Sequence, residues 1–367
     1  MQRIATQAWK ELTQFGRDKI TVGLAIILPV AAFLLFGYGV RLEERNIPVV
    51  VQDLDNSPLS RSIVERLVAT DQLSPVPRTE CDPIAALDRG DAQAAIVIPS
   101  GFSRQFVSGM KPSIQVLIDG TDVNNARVIK NSIVATTDFF LRTLKPNQAP
   151  PLVNTETRIW FNPGRKEALY IVPGSLAFVL WIFPSLLASF AIVREKEQGT
   201  ILQAYTSSIS AAELIAGKAI AYLIVGIAEA LTMGILGAVL FGLRFAGDPI
   251  FFTLATVTYL MVSVLFGLAV GSGTDTQTAA VQAVAGSGFT TSLLLSGFIY
   301  PIRNIKFPFS YVSYLIPARH FLILARNAFV RGGGWDVGWL ELACLLVFAV
   351  VLFARAHQTW SRMQLEA

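Results

Sequence analysis

The chain has little charge. Only 15% of its 367 residues are charged, against about 25% in ordinary soluble domains, while 53% are hydrophobic. This balance indicates a membrane protein rather than a large soluble core. The formal net charge of +4 is too small to suggest binding to nucleic acid.

Residues that would carry chemistry are also scarce. There are two cysteines, Cys81 and Cys344, without metal-ligand spacing, and only two histidines. The sequence contains no G-x-x-x-x-G-K-[ST] phosphate loop, no H-E-x-x-H and no G-x-S-x-G. We therefore predict no catalytic residues, no metal site and no cofactor bound by this chain. Any uphill work must draw its energy from a partner or from an ion gradient.

Six apolar segments are long enough, at about 20 residues, to cross a bilayer as helices. The first could instead be a signal peptide because basic residues precede it, but its apolar run is too long and no A-x-A cleavage site follows. We predict a retained span. The predicted spans are residues 20–40, 169–193, 219–243, 250–270, 276–302 and 337–354.

A soluble domain is predicted between the first two spans. Residues 41–167 hold 15 basic and 15 acidic residues, which is half of all Lys and Arg in the chain. Strand-like stretches such as IPVVVQ and AAIVI alternate with helical ones, and Ser57-Pro58 and Asp82-Pro83 have the form of helix starts. The predicted fold class is a polytopic α-helical membrane protein with six transmembrane helices and an inserted extracytoplasmic α/β domain over 41–168.

Basic residues in short loops predict the orientation. The N-terminal arm, the loop after the second span and the C-terminal tail all carry them, and six spans put all three on one side, predicted to be the cytoplasm. The basic loop between the fifth and sixth spans runs against this assignment, because it would lie outside. The other predicted segments are a cytoplasmic connecting helix over 1–19, a cytoplasmic coupling loop over 194–218, outer re-entrant or interfacial helices over 303–336 and a cytoplasmic tail over 355–367.

The stretch REKEQGT, from Arg194 to Thr200, ends the uncharged second span with four charged residues. Two interpretations are open on physical grounds alone. The basic residues can simply anchor the cytoplasmic end of the span, balanced by the glutamates. Alternatively, the following ILQAYTSS can form a short helix under the membrane that presents charges and apolar side chains to a soluble partner.

REKEQGT resembles the E-x-E-x-G-T element of the type-2 export family of ABC transporter permeases, in the subgroup with a large outer domain. WKELTQFGRDK resembles the family's connecting helix, VVVQDLDNSPLSRSIVERL and SIQVLIDGTDVNNA its outer domain, and LIPARHFLILARNAFVRGGG its outer re-entrant segment. The resemblance implies that REKEQGT belongs to a coupling helix that docks onto an ATPase subunit. The implied ATPase-coupling residues are Arg194, Glu195, Lys196, Glu197, Gly199 and Thr200.

Polar residues inside the spans indicate either a substrate path or contacts with another helix. In the family that this chain resembles, the second and fifth spans line the route between two permease halves. Glu229, near the middle of the third span, should face protein or a cavity, either as a proton relay or as a hydrogen-bonded structural residue. The predicted path residues are Ser185, Ser189, Gln282, Ser287, Thr290 and Thr291.

The residues and the resemblance together predict the permease subunit of an ATP-driven ABC exporter in the bacterial inner membrane. Its substrate would be hydrophobic or amphipathic, such as a drug-like compound or a lipid. The expected partners are ABC ATPase subunits that bind ATP and Mg, a second permease copy or paralogue, membrane lipid and a periplasmic adaptor, but no nucleic acid. Two alternatives are a proton-coupled carrier that uses Glu229 and a non-transporting membrane protein that acts through its outer domain.

Overall fold

The computed structural model describes residues 2–40, 46–70, 72–76, 82–110, 112–144, 158, 160–164, 166–200 and 209–366. The chain divides into two compact units, one formed by residues 1–40 and 158–367 and the other by residues 41–157. Within the described residues, the first unit contains six helices long and apolar enough to cross a membrane, and the second contains a small mixed sheet. The predicted fold class, six membrane helices with an inserted α/β unit after the first span, is confirmed.

The membrane unit starts with two helices, α1 (Gln2–Arg17) and α2 (Lys19–Gly39). α1 is amphipathic and buries one face, which includes Glu11. Asp18 separates the helices and caps α2, because its carboxylate accepts a hydrogen bond from the Thr21 backbone N–H at 3.1 Å. After Lys19 and Thr21 in its first turn, α2 is strongly apolar, as a membrane helix requires.

The inserted unit is a four-stranded sheet with helices. Its strands run in the order β2-β1-β3-β4, in which β1 pairs in parallel with β2 and β3 while β4 is antiparallel to β3. The predicted caps Ser57 and Asp82 are confirmed, each followed by a proline at the start of its helix. The elements are β1 (Ile47–Asp53), α3 (Pro58–Val68), β2 (Leu73–Pro75), α4 (Pro83–Asp88), β3 (Ala94–Ile98), α5 (Phe102–Val107), β4 (Gln115–Ile118) and α6 (Val123–Leu144).

The chain then returns to the membrane unit for its remaining helices. They are α7 (Ala168–Glu197), α8 (Ala211–Phe241), α9 (Pro249–Ser272), α10 (Gln277–Leu295), α11 (Phe309–Val312), α12 (Pro317–Arg326) and α13 (Trp335–Glu366). Residues 284–290 form a π-helical segment in the middle of α10. α10 ends before the predicted boundary at residue 302, because Phe298 turns into the bundle and packs against Phe36 and Phe178.

The centre of this unit is α7, most of which is buried by the other helices. α9 approaches it very closely: a Cβ atom added at Gly267 would lie only 2.0 Å from the Ser185 carbonyl oxygen. Two side chains of α9 also bond to the α7 backbone. The Tyr259 hydroxyl donates to the Ala177 carbonyl at 2.6 Å, and the Ser263 hydroxyl donates to the Trp181 carbonyl at 2.7 Å. α7 and α9 therefore form the tightly packed core of the bundle.

Candidate functional site

The end of α7 gathers charged residues from several parts of the chain. Consecutive residues of a helix point about 100° apart, so the four side chains of Arg194–Glu197 leave α7 in different directions. Each of them bonds to a different segment, as the next paragraphs describe. The charge cluster formed in this way consists of Lys10, Glu11, Asp18, Arg194, Glu195, Lys196, Glu197 and Lys218.

Arg194 joins α7 to the start of α2. Its Nη1 lies 2.8 Å from Asp18 Oδ2, and its Nη2 donates to the Thr21 hydroxyl at 3.1 Å. Hydrogen bonds from the Thr21 side chain and backbone, together with Arg194, lower the pKa of Asp18 from 3.8 to about 2. The residue that caps α2 is therefore also the residue that ties α2 to α7.

Glu195 joins α7 to α1 and α8 through a buried lysine. The Lys218 Nζ lies 3.0 Å from Glu195 Oε2 and 2.6 Å from Glu11 Oε1, and the Lys218 side chain is fully buried. Gln7 donates to the same Glu11 oxygen at 3.0 Å. On the exposed side, the Lys10 Nζ lies 3.2 Å from Glu195 Oε1. Because two cations alternate with two carboxylates here, the buried charges are balanced.

Lys196 joins α7 to the end of α9. Its Nζ donates to the carbonyl oxygens of Ser272 at 2.7 Å and Thr274 at 2.9 Å. The last carbonyls of a helix have no partner within the helix and favour a nearby cation. Asp275, 3.8 Å from the same nitrogen, adds an exposed counter-charge. Lys196 thus caps α9 from a neighbouring helix.

Glu197 joins α7 to the start of α10. One of its carboxylate oxygens accepts from the Gln277 backbone N–H at 2.9 Å, and the other accepts from the Gln277 side-chain amide at 2.5 Å. A carboxylate is favourable at a helix start, where free N–H groups and the helix dipole attract negative charge. The same end of the bundle also receives α13, since the buried Trp360 indole donates to the Ser272 hydroxyl at 2.6 Å.

Gly199 and Thr200 follow the charge cluster on the exposed surface. Gly199 has a φ angle of +67°, a left-handed conformation that glycine adopts readily, so the chain turns sharply after α7. The Thr200 hydroxyl donates back to the Glu195 carbonyl at 3.3 Å. Residues 201–208, over which a short coupling helix is predicted, lie outside the described residues, as does Cys81. The six predicted coupling residues thus lie within seven consecutive positions, with four bonded within the bundle and two at the base of the loop.

The predicted path residues fall into two groups. Ser185 and Ser189 are completely buried in α7, at the level where Gly267 and Gly271 of α9 approach its backbone closely. Their role in a substrate path stays a prediction. The α10 residues Gln282, Ser287 and Thr290 are exposed and Thr291 is half-buried. Glu229 lies in α8 away from the charge cluster, only 4% exposed and beside a cavity.

Several residues of the charge cluster do not stand out in the sequence. In the sequence, Lys218 looks like a basic loop residue that anchors the end of a span, and Glu11 like a residue on the polar face of an amphipathic helix. They meet across a separation of 207 residues, which no local pattern encodes. A usable signal exists for the α7–α9 contact, because Gly267 and Gly271 form a G-x-x-x-G pair in a membrane helix.

Comparisons with known proteins agree with this architecture. Residues 20–356 match the family described as "ABC-2 family transporter protein". The chain is 26% identical over 368 residues to the "Probable multidrug ABC transporter permease YbhR" of Escherichia coli K12, covering 98% of both chains. It is 25% identical over 336 residues to that organism's "Probable multidrug ABC transporter permease YbhS", covering 90% of this chain and 89% of the relative.

The name of a third relative places that relative in the inner membrane. The chain is 26% identical over 322 residues to the "Inner membrane transport permease YhhJ" of Escherichia coli K12, covering 84% of this chain and 83% of the relative. The match of residues 20–356 includes all six membrane helices except the end of α13 and the first residue of α2. Permeases of this family are multi-pass membrane proteins that lack the ATPase domain. The chain therefore belongs to the ABC-2 family of transporter proteins, as a permease.

Proposed function

We propose that this chain is the membrane subunit of an ATP-driven exporter of hydrophobic or amphipathic compounds in a bacterial inner membrane. Permeases of the family act with ATPase subunits, which bind the ATP. The names of the relatives favour drug-like substrates and the inner membrane. In this proposal two copies of the permease, or one copy and a paralogue, join two ATPase subunits.

The observation that carries the proposal is the charge cluster. Its four α7 residues bond to the start of α2, to α1 and α8, to the end of α9 and to the start of α10. A force applied to the loop that starts at Gly199 would therefore reach most of the bundle through direct hydrogen bonds and ion pairs. A simple membrane anchor needs basic residues but has no need for such bonds.

The charge cluster also supports the proposed orientation. α1, the loop after α7 and the end of α13 share one end of the bundle, since their residues bond to α7 and α9. ATPase subunits with ATP are in the cytoplasm, so this end would face the cytoplasm. Because α2 is the single span between α1 and the α/β unit, that unit would lie outside, where it could bind a periplasmic adaptor.

We assign the substrate path to the exposed face of α10. Gln282, Ser287 and Thr290 are exposed on this helix, although polar side chains in a membrane helix usually face protein or a cavity. The π-helical segment at residues 284–290 lies at the same level, and such segments are frequent at functional sites. This face would therefore meet the second permease and the substrate between the two copies.

The proposal is tested by purification and by export from cells. An ATPase subunit should co-purify with the tagged chain in mild detergent, and a deletion strain should become sensitive to lipophilic toxic compounds. An inactive ATP site in the partner should abolish resistance, whereas collapse of the proton gradient should not. Purification of the chain without an ATPase, or export that follows the proton gradient alone, would support the carrier alternative.

A further inference from the structure

α1, α2 and α8 enclose a cavity of about 250 Å³ on one side of the bundle. Its walls are apolar and include Leu12 and Phe15 of α1, Ile26 of α2 and Ile224 of α8. Ile26 and Ile224 are about half exposed, at 54% and 48%, so they form a mouth on the outer surface of the bundle. An amphiphile dissolved in the bilayer could enter such a mouth directly from the lipid.

Glu229 is the ionisable residue of this cavity. The residue is only 4% exposed, and among the described residues neither carboxylate oxygen has a hydrogen-bond partner. The other polar lining residue, Thr232, already donates its hydroxyl hydrogen to the Ala228 carbonyl at 2.8 Å. A buried carboxylate without a partner is unfavourable, and such groups in membrane proteins usually have a functional reason. The part of the chain that the structure describes supplies no partner, so a ligand that enters the cavity can supply it.

We propose that this cavity binds a lipophilic amine, whose protonated nitrogen donates to the Glu229 carboxylate while its apolar body contacts Leu12, Phe15 and Ile224. A protonated amine supplies both the positive charge and the N–H donors that two free oxygens require. A quaternary ammonium supplies the charge without the donors, and a neutral amphiphile supplies no charge.

The chemistry also distinguishes a free amine from an aminophospholipid. Phosphatidylethanolamine carries an ammonium group, but its phosphate would need a cation, and no Lys or Arg lines the described part of the cavity. A free lipophilic amine leaves no charge unpaired. This binding does not require export; on the proposed function, it identifies the class of amphiphile that the transporter would take from the membrane.

The test uses full-length protein in phosphatidylcholine nanodiscs and a photoactivatable decylamine, with the labelled peptide identified by mass spectrometry. Label should appear on the walls of the cavity. Unlabelled decylamine should compete best, decyltrimethylammonium less well and decanol least. Because a hydrogen bond to a charged group contributes about ten- to a hundredfold in affinity, Glu229→Gln should weaken decylamine binding by about that factor.

Matched variants keep the outcome interpretable. Glu229→Asp, which keeps the charge, should retain most of the binding. Thr253→Val is the control, because Thr253 lies on α9 outside the cavity lining and its hydroxyl donates to the Pro249 carbonyl of its own helix; this variant should bind like the original protein. A thermal unfolding curve of Glu229→Gln checks that the variant is folded. Lys196→Met, a variant of the charge cluster, should label normally, which separates this inference from the proposed function.

Three results would overturn the inference. Equal binding of decylamine by Glu229→Gln and the original protein would remove the role of the carboxylate. Competition by decanol as strong as that by decylamine would mean that the cavity is only an apolar groove. Displacement of decylamine by phosphatidylethanolamine in the nanodisc, at a matched mole fraction, would assign the site to a membrane lipid.

Discussion

Lys218 should be the most costly cation of the charge cluster to replace. Its fully buried side chain lies 2.6 Å from Glu11 Oε1 and 3.0 Å from Glu195 Oε2. Lys218→Met keeps a long apolar stem but leaves Glu11, whose side chain is 4% exposed, without its cation. Removal of one partner of a buried ion pair costs about 3–5 kcal/mol. We therefore expect Lys218→Met to lower the free energy of unfolding by about 3–5 kcal/mol.

Lys10→Met is the matched control, because Lys10 contacts the same Glu195 at 3.2 Å. The Lys10 side chain is 48% exposed, and exposed ion pairs contribute about 0–1 kcal/mol. The assay is unfolding of the purified full-length protein by SDS in mixed micelles, with the midpoint compared between the two variants.

Replacement of Glu11 as well should restore part of the lost stability, because a buried ion pair can be exchanged for apolar residues with little cost. The double variant Glu11→Leu with Lys218→Met should therefore unfold later than Lys218→Met alone. If Lys218→Met and Lys10→Met unfolded at the same SDS fraction, the buried cluster would not contribute to stability as argued here.

Three further predictions concern other contacts in the bundle. Gly267→Ala should destabilise the α7–α9 contact by about 1–3 kcal/mol through overpacking. Gly234→Ala, with nothing within 4 Å of the added Cβ, should be neutral or stabilising by up to about 1 kcal/mol. Equal melting temperatures of these two variants would contradict the close approach of α9 to α7. Tyr259→Phe should lower the free energy of unfolding by about 1 kcal/mol through loss of its bond to the α7 backbone, and an unchanged SDS midpoint would argue against that bond. Because the pKa of Asp18 is lowered from 3.8 to about 2, the stability that its carboxylate contributes is present above pH 4 and is lost as the pH falls to 2. Asp18→Asn should therefore melt at a lower temperature than the original protein at neutral pH but not at pH 2. A difference in melting temperature that stayed constant over this pH range would refute the assignment.

The sequence predicts those features that depend on composition and local pattern. Six long apolar segments correspond to the six membrane helices, and the Ser-Pro and Asp-Pro pairs mark true helix starts at Ser57 and Asp82. Both follow from short-range physics, since apolar length suits the bilayer and the side-chain oxygen of a cap bonds to a nearby N–H group.

The contacts between distant segments could not be predicted in the same way. The sequence draws attention to Ser185 and Ser189 because they are polar in a membrane helix, but it does not reveal that both are completely buried where α9 approaches α7 closely. Likewise, REKE stands out by its charge, whereas its buried partner Lys218 on α8 becomes apparent only when the helices are packed. Long-range ion pairs depend on how distant helices pack, and no local sequence pattern predicts that packing.

The central claim, that the charge cluster transmits force from the loop after α7 to the membrane helices, is tested most directly by transport in a reconstituted complex. Lys196→Met should remove the hydrogen bonds that join α7 to the end of α9. Arg355→Met is the control, because Arg355 is an exposed basic residue of α13. We expect the Lys196 variant to retain its ATPase partner and to hydrolyse ATP, but to export at most about a tenth as much substrate per ATP, since the lost hydrogen bonds involve a charged group. Export per ATP equal to that of the Arg355 variant would contradict the claim.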